Sequence, residues 1–455
     1  MKRSHTAYAM LCLLLMAHVY LHTQTHPAVF QDTTAFEQWS SHFQFTSVLQ
    51  NYSAFSAPYT GTNSLQPRPS GNAMTVTSTL FLGARINKYI EVFWNPEIAG
   101  GGGINSVVGI AGFANGEAVR VGDPKPSLYT ARAFVRAHIP LGTEQERVED
   151  DANQLAGLIA QSRITMTLGK INLLDIFDEN DQLSFDPRTQ FLNWSLMAPG
   201  GWDFSADTRG YTYGVVAELH QPTWRANIGW TMLPNDANGA VMDMNLAQAY
   251  TLNAEFVKPY SLWNKRGHLH LIAFLNRARM GNFDKAVADA MRTATLPDIT
   301  LQRDTYRQKY GFALTATQDL TEHIGSFLRA SWNNGANETW MFTQIDRSLA
   351  IGGQFVGALW NRPFDAAGIA GVVNGISSAH QQYLSAGGIG FMIGDGRLRY
   401  APEMILETYY SFCLARGLFV SPNYQLVVNP GYNADRSGPI HLFALRIHAE
   451  FGEPR

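Results

Sequence analysis

The chain has 455 residues, of which 16% are charged and 12% are aromatic. Its 34 Lys and Arg residues balance 37 Asp and Glu residues, which argues against a nucleic-acid partner. Few charges and many aromatic rings argue against disorder, and a mean hydropathy of −0.13 argues against a bundle of membrane helices. A glycine- and aromatic-rich β protein remains, either soluble or a membrane barrel.

The N-terminus has the pattern of a secretory signal peptide. Lys2 and Arg3 precede an apolar stretch from Ala7 to Tyr20, and such a peptide needs a positive region followed by an apolar one. We predict a signal peptide over about residues 1–25 and a mature domain over 26–455. A membrane anchor is the alternative, for which the apolar stretch is short.

Period-2 alternation runs along the rest of the chain. Between Tyr129 and Ile139 one face carries no charge, whereas the other carries Arg132, Arg136 and His138. Segments of this kind are about 9–12 residues long, as a tilted transmembrane strand requires, against about 5–6 residues in soluble sheets. The pattern predicts an all-β fold that forms a single transmembrane antiparallel β-barrel. A soluble all-β protein is the alternative, because a sandwich also alternates.

The alternation alone leaves the number of strands open. We count about 14–19 segments, because those near 191–197, 369–375 and 387–393 alternate weakly. Aromatic residues such as Tyr89 and Trp224 fall near segment ends, where membrane barrels carry their aromatic girdles.

The connections between segments are of two kinds. Ile86–Lys88 and Gln221–Pro222 are tight, whereas Ala99–Leu128, Pro140–Ser162 and Arg279–Arg307 are long. The second long connection is acidic, and we predict a short helix in it. Short periplasmic turns at one end and long extracellular loops at the other are typical of outer-membrane barrels.

Several stretches are similar to a known family. WNPEIAGG (94–101), FLNWSLMAPGGWDF (191–204) and NYQLVVNPGYNADR (423–436) resemble segments of the OprB-type carbohydrate-selective porins, and similar motifs follow in order from Phe36 to Phe451. The resemblance implies one sixteen-stranded barrel in the outer membrane of a Gram-negative bacterium. It also implies passive uptake of monosaccharides or small oligosaccharides, without a catalytic step, a cofactor or a bound metal.

The resemblance further implies partners and a constriction. The partners would be outer-membrane lipid and the outer-membrane insertion machinery, which reads a terminal aromatic residue such as Phe451. A homotrimer is an assembly that the resemblance allows. Long loops are expected to fold inward and narrow the pore, and Ala99–Leu128 is our candidate for that role.

The polar faces of the strands would line the pore. Arginine offers several hydrogen-bond donors and carboxylates accept from sugar hydroxyl groups, while aromatic faces can stack on a sugar ring. Such charges often have a structural role instead, because they hold loops in place. The predicted pore and solute-binding residues are Arg85, Glu91, Asn95, Glu97, Arg132, Phe134, Arg136, Arg163 and Lys170.

Three other functions compete with this interpretation. An outer-membrane channel could take another solute or export a polysaccharide, and a secreted soluble protein could bind carbohydrate. An enzymatic barrel would need polar residues on the apolar face, which the segments lack. His268 and His270 are two residues apart and share one face of a segment, which could indicate a metal site. No third metal ligand is evident in the sequence.

Overall fold

The computed structural model describes residues 36–119, 123–180, 183 and 185–452. The predicted signal peptide therefore lies outside the described residues. Within this part of the chain, sixteen strands form a closed antiparallel barrel and two further strands form a separate hairpin. The strands are β1 (Trp39–Tyr52), β2 (Ala73–Asn87), β3 (Ile90–Gly100), β4 (Ser127–Pro140), β5 (Gln145–Val148), β6 (Gly157–Ala160), β7 (Arg163–Ile171), β8 (Thr212–Gln221), β9 (Trp224–Thr231), β10 (Tyr250–Leu262), β11 (Lys265–Ala278), β12 (Arg307–Asp319), β13 (Ile324–Asn333), β14 (Arg347–Val356), β15 (Ala366–Gly375), β16 (Glu403–Ala415), β17 (Leu418–Val428) and β18 (Ile440–Phe451).

Each barrel strand pairs with its neighbours along the chain, and β1 closes the sheet against β18. The extra hairpin, formed by β5 and β6, lies between β4 and β7 in the chain but outside the barrel sheet, in which β4 and β7 pair directly with each other. Closure leaves no free sheet edge. A free edge in lipid would expose backbone N–H and C=O groups that have no hydrogen-bond partner. The prediction of one sixteen-stranded antiparallel barrel is confirmed.

Alternation decides which side chains face the lumen. On β12, Tyr310 and Phe312 are more than half exposed on the outer surface, whereas Lys309 and Thr315 are buried inside. Because successive side chains of a strand point to opposite faces, one strand supplies both a lipid-facing and a lumenal surface. The apolar outer surface agrees with a barrel in a membrane and not with the soluble alternative.

The two ends of the barrel differ in their connections. At the short-turn end, β2 joins β3 and β8 joins β9 by two-residue turns, which confirms the tight connections predicted there. At the long-loop end the connections include 101–126, 172–211 and 279–306. The last of these carries the helix Phe283–Thr293, which the Asn282 side chain caps. Among the described residues, no helix is long and apolar enough to cross a membrane.

Two expectations about local structure were wrong. The connection 141–162 has no helix and forms the β5–β6 hairpin at the short-turn end, because β4 runs back from the long-loop end to Pro140. Residues 191–197 are not a strand but part of a loop with a short helix, Trp194–Met197. The weak segment 387–393 is also loop, whereas 369–375 belongs to β15.

Candidate solute pathway

Two loops from the long-loop end fold into the lumen. We call the described residues of 101–126 the first inner loop and those of 172–211 the second inner loop. They meet in the barrel, where Trp194 N donates to the Phe113 carbonyl at 3.0 Å and the two rings stack at 5.0 Å. The inward folding expected of Ala99–Leu128 is therefore present, and the second inner loop, which the sequence did not indicate, does the same.

Buried carboxylates of the wall hold both inner loops through their backbone amides. Glu403 accepts from Ala111 N at 2.9 Å and Gly112 N at 2.7 Å in the first inner loop. Glu407, on the same strand, accepts from Leu192 N at 2.6 Å and Asn193 N at 3.0 Å in the second. Hydrogen bonds to a charged partner in a dry environment are the strong ones. These bonds fix the position of each loop across the lumen.

Buried arginines of two other strands, β13 and β18, hold the carbonyl groups of the second inner loop. Arg446 donates to the carbonyls of Pro187, Thr189 and Gln190 at 2.6–2.9 Å. Arg329 donates to the Leu196 carbonyl at 2.6 Å. Buried backbone groups need such partners, because an unpaired one costs about 1–3 kcal/mol. The wall thus supplies the bonds that a loop normally makes with water.

A charged cluster forms where the inner loops meet the wall. Arg188 of the second inner loop contacts Glu97 of β3 at 3.2 Å and Glu117 of the first inner loop at 3.1 Å. Its remaining nitrogen donates to Gln44 at 2.9 Å and to Thr79 at 3.3 Å. Burial lowers the pKa of Arg188, but the two carboxylates outweigh burial and raise its pKa well above the ordinary value. The guanidinium is therefore a fixed positive charge.

Glu97 collects hydroxyl donors as well as a guanidinium. Thr79 donates to one of its oxygens at 2.5 Å, and Tyr211 donates to the other at 2.9 Å. Tyr129 donates to the same oxygen as Tyr211. A carboxylate has about four acceptor sites, so Glu97 is fully occupied.

A second ion pair lies beside Glu97. Arg132 binds Asp175 of the second inner loop through two nitrogens, at 2.5 and 2.7 Å. Its guanidinium carbon lies 5.3 Å from the Tyr211 ring centre. The third nitrogen, Nη1, is buried without a hydrogen-bond partner. We call Glu97, Glu117, Arg132, Asp175 and Arg188 the loop-side cluster.

The predicted pore residues divide into two groups along the wall. On β3, Glu91, Asn95 and Glu97 all face the lumen, and at about 3.3 Å per residue the first and last lie about 20 Å apart. Glu97 and Arg132 belong to the loop-side cluster. Lys170 lies nearby, with its Nζ donating to the Thr130 carbonyl at 2.8 Å.

Most of the other predicted residues lie toward the short-turn end, whereas Asn95 and Phe134 lie midway along their strands. Arg85 and Glu91 form an ion pair at 3.0 Å, and Arg163 pairs with Glu146 of the β5–β6 hairpin at 2.7 Å. Arg136 stacks on the Phe134 ring at 5.2 Å. Arg85, Asn95, Arg136 and Arg163 all bond to that hairpin.

The sequence did not indicate Arg188, Glu117, Tyr129 or Tyr211. Arg188 and Glu117 lie in loops, where no periodicity tells a lumenal position from an exposed one. Strict alternation predicts Tyr129 on the uncharged face, opposite to Arg132, but a register shift between β3 and β4 at Asn95 and Pro96 brings it to Glu97. Within the described ranges, no group of three or more His, Cys, Asp or Glu side chains is placed to hold a metal ion.

Comparisons with known proteins agree with this architecture. A family model described as the carbohydrate-selective porin family OprB matches residues 84–451. OprB of Pseudomonas putida is 13% identical, with a TM-score of 0.60, and the alignment covers 91% of this chain and 94% of that one. The outer membrane channel DcaP of Acinetobacter baumannii is 9% identical, with a TM-score of 0.52 and coverage of 91% and 97%.

These identities are low enough that the two structures show a shared fold alone. A search of curated proteins finds no match. The family model, however, covers most of the chain, including the barrel from the end of β2 to the end of β18. The protein is therefore an outer-membrane channel and belongs to the OprB family of carbohydrate-selective porins.

Proposed function

We propose that the channel passes monosaccharides and other small polyhydroxylated solutes by passive diffusion, and that the loop-side cluster sets this preference. The observation that carries the proposal is the surroundings of Glu97, which binds three protein hydroxyl groups and one guanidinium. A sugar offers hydroxyl groups of the same kind. A passing solute can therefore exchange with the protein's own hydroxyl donors without leaving a carboxylate unpaired.

The loop-side cluster offers donors as well as acceptors. Arg132 Nη1 lacks a partner, and an unpaired buried donor costs about 1–3 kcal/mol until an acceptor arrives. A sugar oxygen is such an acceptor. Conduction also requires release, so solute binding must be weak at each point. Alternating carboxylates and guanidiniums give a series of weak sites instead of one deep pocket.

The remaining predicted residues are proposed to contact the solute at other positions along the pore. Lys170 and Phe134 would contact the solute along the wall near β4. Arg85, Glu91, Asn95, Arg136 and Arg163 would contact it closer to the short-turn end. Residues 1–25 would direct export as a signal peptide, residues 26–455 would form the channel, and the barrel is proposed to insert through its terminal segment and to assemble as a trimer.

Vesicle swelling tests the proposal. Vesicles containing the refolded protein are placed in isosmotic glucose, maltose or an amino acid of similar size to glucose. Glucose is expected to enter faster than either of the others. Glu97→Gln and Arg188→Gln are each expected to lower the ratio of the glucose entry rate to the amino acid entry rate. A loss of about 1.4 kcal/mol in the interaction that favours glucose lowers this ratio about tenfold.

Arg292→Gln is the matched control, because it removes one positive charge from a side chain that is 75% exposed and pairs with Asp289, not with the loop-side cluster. It should leave all three rates unchanged. Heat-modifiable mobility on gels identifies variants that keep the folded barrel. Equal entry of glucose and the amino acid through the unaltered protein would leave a channel but overturn the sugar preference.

A further inference from the structure

The β5–β6 hairpin, residues 141–162, enters the lumen from the short-turn end. Leu155 is 1% exposed and belongs to the same apolar cluster as Phe93 and Phe134 of the wall. The Asn153 side chain reaches Asn95 in the middle of β3, at 2.9 Å. The segment joining the two short strands is thus packed inside the barrel, opposite in direction to the two inner loops.

The hairpin uses the wall groups that were expected to bind solute. Arg85 donates to the carbonyls of Leu155 at 3.2 Å and Ala156 at 3.1 Å. Arg136 donates to the Asn153 carbonyl at 2.8 Å. Carbonyl oxygens of the hairpin therefore stand where the oxygens of a sugar would accept the same hydrogen bonds.

The ion pairs that attach the hairpin are more exposed than the groups that hold the inner loops. β5 and β6 have four residues each and pair only with each other. Glu146 is 44% exposed where it meets Arg163, and Asp150 is 23% exposed where it meets His42. Asp151 and Ala152, beside Asn153, are exposed. Ion pairs of this kind contribute about 0–1 kcal/mol each, so withdrawal of the hairpin has to overcome mainly the Leu155 packing and the hydrogen bonds from Arg85 and Arg136.

We propose that the hairpin is an internal gate that occupies the solute positions at Arg85, Asn95 and Arg136 and must withdraw toward the short-turn end before a sugar can pass. This inference rests on the proposed function, since the sugar oxygens are taken to replace the hairpin carbonyls. Each arginine keeps a hydrogen-bond acceptor in both states. The gate therefore exchanges one set of acceptors for another and leaves no buried charge unpaired.

A reversible cross-link tests the gate. Cys413 is the one free cysteine among the described residues, so Asn95→Cys and Asn153→Cys are introduced in a Cys413→Ser background. Their side chains touch, and oxidation ties the hairpin tip to the wall. The control pair is Thr167→Cys with Val216→Cys, which face the lumen from directly opposed positions on β7 and β8 and do not involve the hairpin.

Glucose entry into vesicles is measured before and after reduction. Because the cross-link removes the open population, entry through the oxidised Asn95–Asn153 variant is expected to fall at least about tenfold and to recover on reduction. The control pair should show no such change. Equal entry through the oxidised and reduced forms would overturn the gate while leaving the sugar channel intact. No glucose entry through the unaltered protein would instead overturn the proposed function.

A second variant decides the question if the cross-linked protein does not fold. Replacing residues 150–155 by glycine and serine removes the Asn153 side-chain bond to Asn95, the Asp150 pair with His42 and the Leu155 contact, while the backbone bond between Leu141 and Ser162 remains. Single-channel conductance is expected to rise, and maltose entry should approach that of glucose. Unchanged conductance and unchanged maltose exclusion would overturn the gate.

Discussion

The lumen is narrowed from both ends, but the two obstructions are held by different contacts. The inner loops are fixed by Glu403, Glu407 and Arg446, which are at most 1% exposed. The hairpin is held by hydrogen bonds from Arg85 and Arg136 to its carbonyl groups and by ion pairs whose acidic partners are 23–44% exposed. Leaving a buried charge without its partner costs about 3–5 kcal/mol, whereas an exposed pair contributes about 0–1 kcal/mol. This difference assigns constant narrowing to the inner loops and movement to the hairpin.

Removal of Arg446, which holds the second inner loop, should change stability more than any other substitution considered below. Arg446→Met breaks the bonds to the carbonyls of Pro187, Thr189 and Gln190. We expect the free energy of unfolding to fall by about 3–5 kcal/mol, because buried carbonyls lose their donors. Conductance should rise as the second inner loop is released. The measurements are the temperature of the heat-modifiable gel shift and single-channel conductance.

Arg347→Met is the matched control, because Arg347 is exposed at the end of β14. It should shift the unfolding temperature little. A similar shift in both variants would show that the second inner loop gains no special stability from Arg446.

The long-loop end should also respond to acid through Asp346. Burial raises the pKa of Asp346, but the hydrogen bond and charge of His380 and the charge of Lys309 outweigh burial and lower its pKa to about 2. A lowered pKa stabilises the fold above the ordinary pKa of about 4 and loses that stabilisation as the pH falls toward 2. We expect a loss of about 2 kcal/mol across this interval, measured as the unfolding temperature against pH.

Asp346→Asn should flatten the unfolding temperature between about pH 4 and pH 2, since the variant has no carboxylate to protonate. Asp304→Asn is the control, because Asp304 is an exposed carboxylate in a neighbouring loop. A profile for Asp346→Asn that still falls over this interval would assign the acid response to other groups.

The barrel was predictable from the sequence because its determinants are local. Strand length and alternation placed Glu97 and Arg132 on the lumenal face, and the structure agrees. The partners of these residues were not predictable in the same way. Arg188 reaches Glu97 from a position 91 residues away in the chain. No period relates a loop residue to a wall residue, so only the folded path of the second inner loop brings them together.

The position of the hairpin could have been deduced by counting. Consecutive connections of an up-and-down barrel lie at alternate ends. Only β4 separates the first inner loop from the hairpin, so the two cannot share an end. What counting cannot reveal is that the hairpin turns inward, because this depends on Leu155 joining the apolar cluster that contains Phe93 and Phe134.

The smallest change in stability should come from the hairpin itself. Glu146→Gln removes the partially exposed pair with Arg163, and we expect the free energy of unfolding to change by about 0–1 kcal/mol. The fraction of time spent at the highest conductance should nevertheless rise, because the hairpin is held less strongly. Raising the salt concentration should do the same in the unaltered protein, since salt screens exposed pairs more than buried ones.

Glu322→Gln provides a matched control for this experiment. Glu322 lies in a short turn at the same end, where its carboxylate is 3.9 Å from the Lys265 ammonium and 83% exposed. The Glu322→Gln substitution removes an equal charge and does not affect the hairpin. The fraction of time that this variant spends at the highest conductance should therefore equal that of the unaltered protein. If both variants open the channel equally, the surface charge of this end governs conductance and not the hairpin. If only Glu146→Gln does so, with stability unchanged, opening is separated from unfolding. That separation is what distinguishes a movable obstruction from a merely unstable one.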